Sequence, residues 1–203
     1  QTTFHQQQHA MSIDEPAERD HLKRLPPEYY QDQAYVHWTL TMQNRQKGWL
    51  QPVFFYKLRE LLTHTTFRYG LCCPIFCCMP DHIHMLWLGI VDGSDQQLAM
   101  QHFRKRFNQV LQVYDCRLQD QAYDHVLKEE ERLEEGCRAL VDYIARNPER
   151  AELVATDEFA SYPYTSCLVP GYPELKSFDS DFWTRFWRAY SFLKNNGMLR
   201  LRS

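Results

Sequence analysis

Apolar and polar positions alternate or recur along this chain in a readable order. Tyr35-Val36-His37-Trp38-Thr39-Leu40-Thr41 is dense in β-forming residues and predicts a first strand. A polar loop from Asn44 to Gly48 follows. After Pro52, Phe54, Phe55, Leu58, Leu61 and Leu62 recur at helical spacing and predict a first helix, punctuated by Gly70. Leu71 to Cys78 reads as a second strand. Met79-Pro80-Asp81 then makes a tight connection into His82-Ile83-His84-Met85-Leu86-Trp87, a third strand. Gly93 to Asp95 offers a loop and an N-cap. Beyond it, Ala99, Phe103, Phe107, Val110, Leu111 and Tyr114 mark the apolar face of a second helix. Gln119 to Leu127 predicts a fourth strand with its entry. Leu133, Cys137, Leu140, Val141 and Ile144 keep the 3.6-residue period of a third helix, which Pro148 should end at Asn147.

Two flanking regions differ from this core. Residues 1–24 are rich in Gln, His, Asp and Glu without periodicity and predict a mobile arm. The core then spans 25–170, and 171–203 forms an extension. In it Phe182, Trp183, Phe186, Trp187, Tyr190 and Leu193 predict an aromatic amphipathic helix, with Asn195-Asn196-Gly197 as a stop. That helix either packs over the domain or offers a stacking surface or flap for nucleic acid.

Composition narrows the class. The chain has 203 residues, 44% hydrophobic and 14% aromatic, which suits one globular domain with extensions. No apolar run approaches the ~18 residues of a membrane span, and the polar start, Gln1 to Gln8, predicts no secretory signal. Seven cysteines, an odd number, read as reduced thiols of a cytoplasmic protein rather than a disulfide scaffold. Cys72, Cys73, Cys77 and Cys78 contain no Cys-x-x-Cys pair, and neighbouring strand residues face opposite sides, so they argue against zinc. The formal net charge is −3, but the charges are segregated. Acids cluster at Glu129 to Glu135. Bases gather at Arg104-Lys105-Arg106, at Arg146 and Arg150, and in the tail. A basic face able to track phosphates is therefore open to this chain.

The chemistry centres on the third strand. Residues i and i+2 of a strand point the same way, so His82 and His84 stand side by side while Ile83 enters the opposite face. Two neutral imidazoles in parallel are half of a metal site, or a pair of half-buried histidines that only hydrogen-bond. On the third helix, Tyr143 and Asn147 are four apart and stack on one edge of the core stripe.

MPDHIHMLW, then YDHVL, then VDYIARNPERAELV with YPYTS resemble the REP-associated tyrosine transposases of the single-tyrosine HUH superfamily, from about Tyr29 to Ser166. The resemblance implies an α+β fold: a four-stranded antiparallel sheet, ferredoxin- or RRM-like, with helices on one face. It implies His82 and His84 as metal ligands, Tyr143 as nucleophile, and Asn147 as third ligand or polar metal neighbour. His125 takes a supporting role. The implied ion is Mg²⁺ or Mn²⁺, and the implied partner is single-stranded or hairpin DNA at short palindromic repeats. The implied activity is a transposase-like cleavage and rejoining through a 5′-phosphotyrosine, in the nucleoid-bearing cytoplasm. The alternative is a domesticated binder of structured single-stranded DNA that no longer cuts. Arg104, Lys105, Arg106, Arg146 and Arg150 are the candidate phosphate contacts. Monomer and homodimer both remain open, as does action within one chain or across two.

Overall fold

The computed structural model describes residues 24–197; the expected arm lies almost wholly outside the described residues. Five strands form one antiparallel sheet in the order β4-β1-β3-β2-β5: β1 (Tyr35–Thr41), β2 (Leu71–Met79), β3 (His82–Gly89), β4 (Tyr123–Val126) and β5 (Thr165–Leu168). The helices are α1 (Pro52–Tyr69), α2 (Gln96–Leu111), α3 (Glu129–Arg132), α4 (Glu134–Ala145), α5 (Asn147–Arg150) and α6 (Phe182–Asn196). Among the described residues no helix is long and apolar enough to cross a membrane.

Alternation along β3 builds two cores, one on each face of the sheet. Ile83, Met85 and Trp87 join Trp38 and Leu40 of β1 on the first face, under Phe54, Leu58 and Leu62 of α1 and Phe103, Phe107 and Leu111 of α2. Leu86 and Leu88 join Tyr35 and Cys77 on the second, under Cys137, Val141 and Ile144 of α4 and Phe182, Phe186 and Tyr190 of α6. Helices thus cover both faces, where the sequence led us to expect one. A strand covered on both sides has no polar face to show, and β2 is buried at all nine positions. That is why four cysteines fit there. Cys73 and Cys78 enter the first core, Cys72 and Cys77 the second, and all seven cysteines are buried and unpaired.

The fifth strand was not legible as one. Its four residues lie between Pro163 and Pro170, and only pairing with β2 makes them a strand. Register shifts at Pro74, so that two residues of β2, Cys73 and Pro74, oppose the single residue Trp87 of β3 between the Cys72 and Ile75 pairs; proline has no N–H to give a ladder.

The helix boundaries have local causes. α1 begins at Pro52, whose missing N–H costs nothing in a first turn. It ends at Gly70, which adopts φ +63° and donates its N–H to Thr66. Val91 lies 2.5 Å from where a Cβ on Gly70 would sit, so no other residue fits there without movement. α2 begins at Asp95, whose carboxylate accepts the Leu98 N–H at 2.9 Å. α6 is fixed to the sheet by Tyr190, whose hydroxyl donates to the Gly89 carbonyl at 2.9 Å.

Candidate active site

The two-residue connection Pro80-Asp81 joins Met79 directly to its partner His82. This places His82 at the mouth of the hairpin and His84 one step deeper. The tip is held from outside: Trp49 donates its indole N–H to the Pro80 carbonyl at 2.8 Å, Met42 donates its amide to the Asp81 carbonyl at 2.9 Å, and Arg45 reaches the Asp81 carboxylate at 3.4 Å. Rotation of the first histidine is therefore restricted through its neighbour.

Each histidine has one ring nitrogen occupied. His82 Nδ1 lies 2.6 Å from Asp81 Oδ1. Burial would raise the Asp81 carboxyl, but the His82 hydrogen bond and charge, with Arg45, hold it below the ordinary carboxylate range. His84 Nδ1 lies 3.1 Å from Thr39 Oγ1 and 3.2 Å from His37 Nε2. The Asp81 carboxylate accepts from Nδ1–H and leaves His82 Nε2 as a lone-pair donor, and His84 keeps its Nε2 lone pair in the tautomer whose Nδ1–H donates to Thr39 or His37. The rings stand perpendicular, with centroids 4.8 Å apart. Burial, then His37, His82 and Arg150, push His84 down to about 3, and burial followed by His125 pushes His37 down to about 4. Both are neutral imidazoles at neutral pH, the form a metal takes.

Register explains this cluster. Thr39 pairs with His84 across β1–β3, and Cys77 pairs with His84 across β2–β3. Paired residues share a face, so Tyr123, Thr39, His84, Cys77 and Thr165 form one row across five strands. His37 sits opposite His125 in the next row. His125 lies on the same face, and its Nε2 is 3.0 Å from Glu131 Oε1.

Tyr143, Asn147 and Arg150 come together at the α4–α5 junction on that face. The helix breaks there: α4 stops at Ala145, and Pro148 starts a second turn. Cys137, Val141 and Ile144 anchor the inner side of α4, leaving Tyr143 51% exposed. The Arg150 guanidinium lies over the Tyr143 ring at 4.3 Å and donates to the Tyr143 carbonyl at 2.7 Å and to Asn147 Oδ1 at 3.0 Å. Asn147 Nδ2 donates to the Ile144 carbonyl at 3.0 Å. Arg150 is also among the charges depressing His84. One guanidinium therefore stacks on the tyrosine and lies within the field of His84.

The other basic candidates stand elsewhere. Arg146 is held by Asp142, Glu149 and Asp157 and stacks on Phe159 at 4.4 Å. Arg104, Lys105 and Arg106 ride on α2, on the opposite side of the sheet from the histidines. Arg104 is half-buried and donates to the Gln119 carbonyl.

The donor set suits a divalent cation at two points. Two imidazoles that can each offer Nε2 match Mn²⁺ well and Mg²⁺ less so. Among the described residues no three His, Cys, Asp or Glu side chains gather as a metal site, so further ligands would come from an amide, water or substrate. Sequence reasoning overlooked Asp81, Thr39 and His37. Asp81 stood inside the quoted motif. Period-two alternation put His37 and Thr39 on one face, but only register brings that face to His84.

Neither a protein-family model nor a curated protein matches this chain. In fold it is similar to the solved structure of a REP-associated tyrosine transposase bound to a REP hairpin, with 18% identity and a TM-score of 0.59. The likeness covers 72% of this chain and 82% of that one. That transposase is of the family whose motifs this sequence resembles, and what the two chains share is the α+β fold.

Proposed function

We propose that this protein is a transposase-like enzyme that cleaves and rejoins single-stranded or hairpin DNA, with Tyr143 as nucleophile. The observation that carries the reading is the junction of Tyr143 and Arg150 over the sheet face that presents His82 and His84, each with its Nδ1 already tied. The fold likeness to a transposase solved with a hairpin supports the same partner here.

The residues divide the work. Asp81 would hold His82, and Thr39 with His37 would hold His84, in the tautomer that leaves Nε2 free. A divalent cation held by His82 and His84, with the Asn147 amide as a further neighbour, would polarise the scissile phosphate and offset its charge. Arg150 meets a phosphate oxygen beside the tyrosine ring, where a fixed cation stabilises the charge that grows as bonds change. Tyr143 Oη attacks phosphorus and gives up its proton. The P–O3′ bond breaks, the 3′-oxygen leaves as a hydroxyl, and the DNA 5′ end stays on the tyrosine as a phosphodiester. A later 3′-hydroxyl attacks that phosphotyrosine, rejoining strands and returning the phenol, so bond energy is conserved and no nucleotide triphosphate is needed. A DNA partner and seven buried unpaired thiols suit a reducing, nucleoid-bearing compartment.

A second reading, a hairpin binder that does not cut, draws on Asn147: its amide is engaged by Ile144 and Arg150 rather than turned to the histidines. Metal dependence separates the two. A repeat-bearing hairpin oligonucleotide should be nicked with Mn²⁺ or Mg²⁺, and His82→Ala/His84→Ala should abolish nicking while most binding survives. Equal nicking in EDTA contradicts the metal role, and binding without nicking at any metal favours the binder.

A further inference from the structure

A basic cluster away from the histidine face lies on the outer surface of α1 and α2. His64 and Arg68 of α1 and Lys105 and Arg106 of α2 are exposed, with His102 half-buried between them. The two helices meet there through Tyr69, whose ring centroid is 5.8 Å from that of His102, while the Arg68 guanidinium lies 5.7 Å over the same tyrosine ring. Burial, and then Arg68, Arg106, His64 and Lys105, hold His102 below the ordinary histidine range, so these groups lie within one another's field. Glu60, the acid that feels His64, is already paired with Lys57 at 2.9 Å. Among the described residues no carboxylate forms an ion pair with Arg68, Lys105 or Arg106, whereas Arg117, Arg138, Arg146 and Arg185 are all paired. In a chain of net charge −3, unpaired cations gathered on one helical layer point to a polyanionic partner.

We propose that this outer α1–α2 face is a second, sequence-independent binding surface for the phosphates of a DNA duplex. The choice of DNA rests on the function proposed above, and the surface is distinct from that site because the sheet separates them. Arg104 takes no part: its guanidinium is turned inward to Gln119. Arg68, Lys105 and Arg106 supply the phosphate contacts, and Tyr69 and His102 form the floor between the helices. Such a surface would hold the stem of a hairpin or flanking duplex while the single strand is worked on across the sheet. It adds affinity without reading sequence, as contacts to phosphate do.

The test uses the full chain and a plain DNA duplex carrying no palindromic repeat, with affinity measured against salt. Wild type should bind it with a log–log slope that falls by roughly two to three units in Arg68→Ala/Lys105→Ala/Arg106→Ala, about one per lost phosphate contact. A control triple, Lys47→Ala/Lys128→Ala/Lys176→Ala, changes net charge equally and should lower the slope by much less. The surface is overturned if wild type does not bind the duplex, if the slope is unchanged in the first triple, or if both triples behave alike. His82→Ala/His84→Ala should keep the wild-type slope. Loss of the slope in that variant would move duplex binding to the histidine face. The outcome is independent of the chemistry, since a chain that binds duplex through Arg68 but forms no tyrosine adduct retains this surface and loses the nuclease reading.

Discussion

Arg150 lies over the ring of Tyr143, 4.3 Å from its centroid, one turn beyond the break that Pro148 makes between α4 and α5. The stack is fixed by two further bonds from the same side chain, to the Tyr143 carbonyl and to Asn147 Oδ1. Arg150 is exposed and makes no ion pair among the described residues, unlike Arg146 four residues earlier, which three carboxylates hold. A cation left free beside the proposed nucleophile is placed for a phosphate.

Arg150→Ala should therefore slow hairpin cleavage by about 10²-fold, in the range for loss of one fixed charge-stabilising donor, with the thermal midpoint nearly unchanged. Arg150→Lys should recover only part of the rate, because lysine keeps the charge but not the planar stack. Single-turnover cleavage rates, read beside thermal melts, check this. A full rate in Arg150→Ala would remove Arg150 from the site.

Asp81 offers a separate test of the metal. Asp81→Ala frees His82 Nδ1 and loosens its ring, so Mn²⁺ affinity should fall by about 10- to 100-fold, as for loss of a partner behind a ligating histidine. Titration calorimetry with Mn²⁺ measures it, with His82→Ala as the lower bound. Affinity unchanged from wild type would mean that Asp81 serves only the hairpin.

Much of this is legible in the sequence. Gly70, Pro52 and the Phe54–Leu62 spacing marked α1, and His82-Ile83-His84 declared a shared face by alternation alone. What could not be read depends on register and on packing between distant segments. Nothing near Thr39 says that it pairs with His84, and nothing near Thr165 says that Cys77 waits beside it. The two-sided sheet was foreshadowed by nine continuous apolar or small residues in β2, but a buried run does not say what covers it. Arg104-Lys105-Arg106 shows the same limit: three adjacent charges look alike in sequence, yet the helix turns Arg104 inward and leaves its neighbours out.

α6 is part of the second core, so its aromatic face bears on stability. Phe186→Ala should cost about 3–5 kcal/mol, as for other fully buried phenylalanines. Tyr190→Phe should cost about 1 kcal/mol for the bond to Gly89. Denaturant titration with an unchanged m-value checks both. Loss of less than 1 kcal/mol in Phe186→Ala would show that α6 is not required by the sheet.

The central claim is that Tyr143 carries the DNA. Its hydroxyl takes no hydrogen bond from the described residues, and the half-exposed ring leaves the oxygen at the surface, so Tyr143→Phe removes one atom without disturbing the packing of Val141 or Ile144. Incubated with a single-stranded hairpin and Mn²⁺, wild type should give a protein–DNA adduct that survives boiling in SDS and maps by mass spectrometry to a phosphotyrosine at Tyr143. Tyr143→Phe should bind the same hairpin with wild-type affinity and give no adduct. An adduct that persists in Tyr143→Phe, or one that maps to another tyrosine in wild type, would contradict the account.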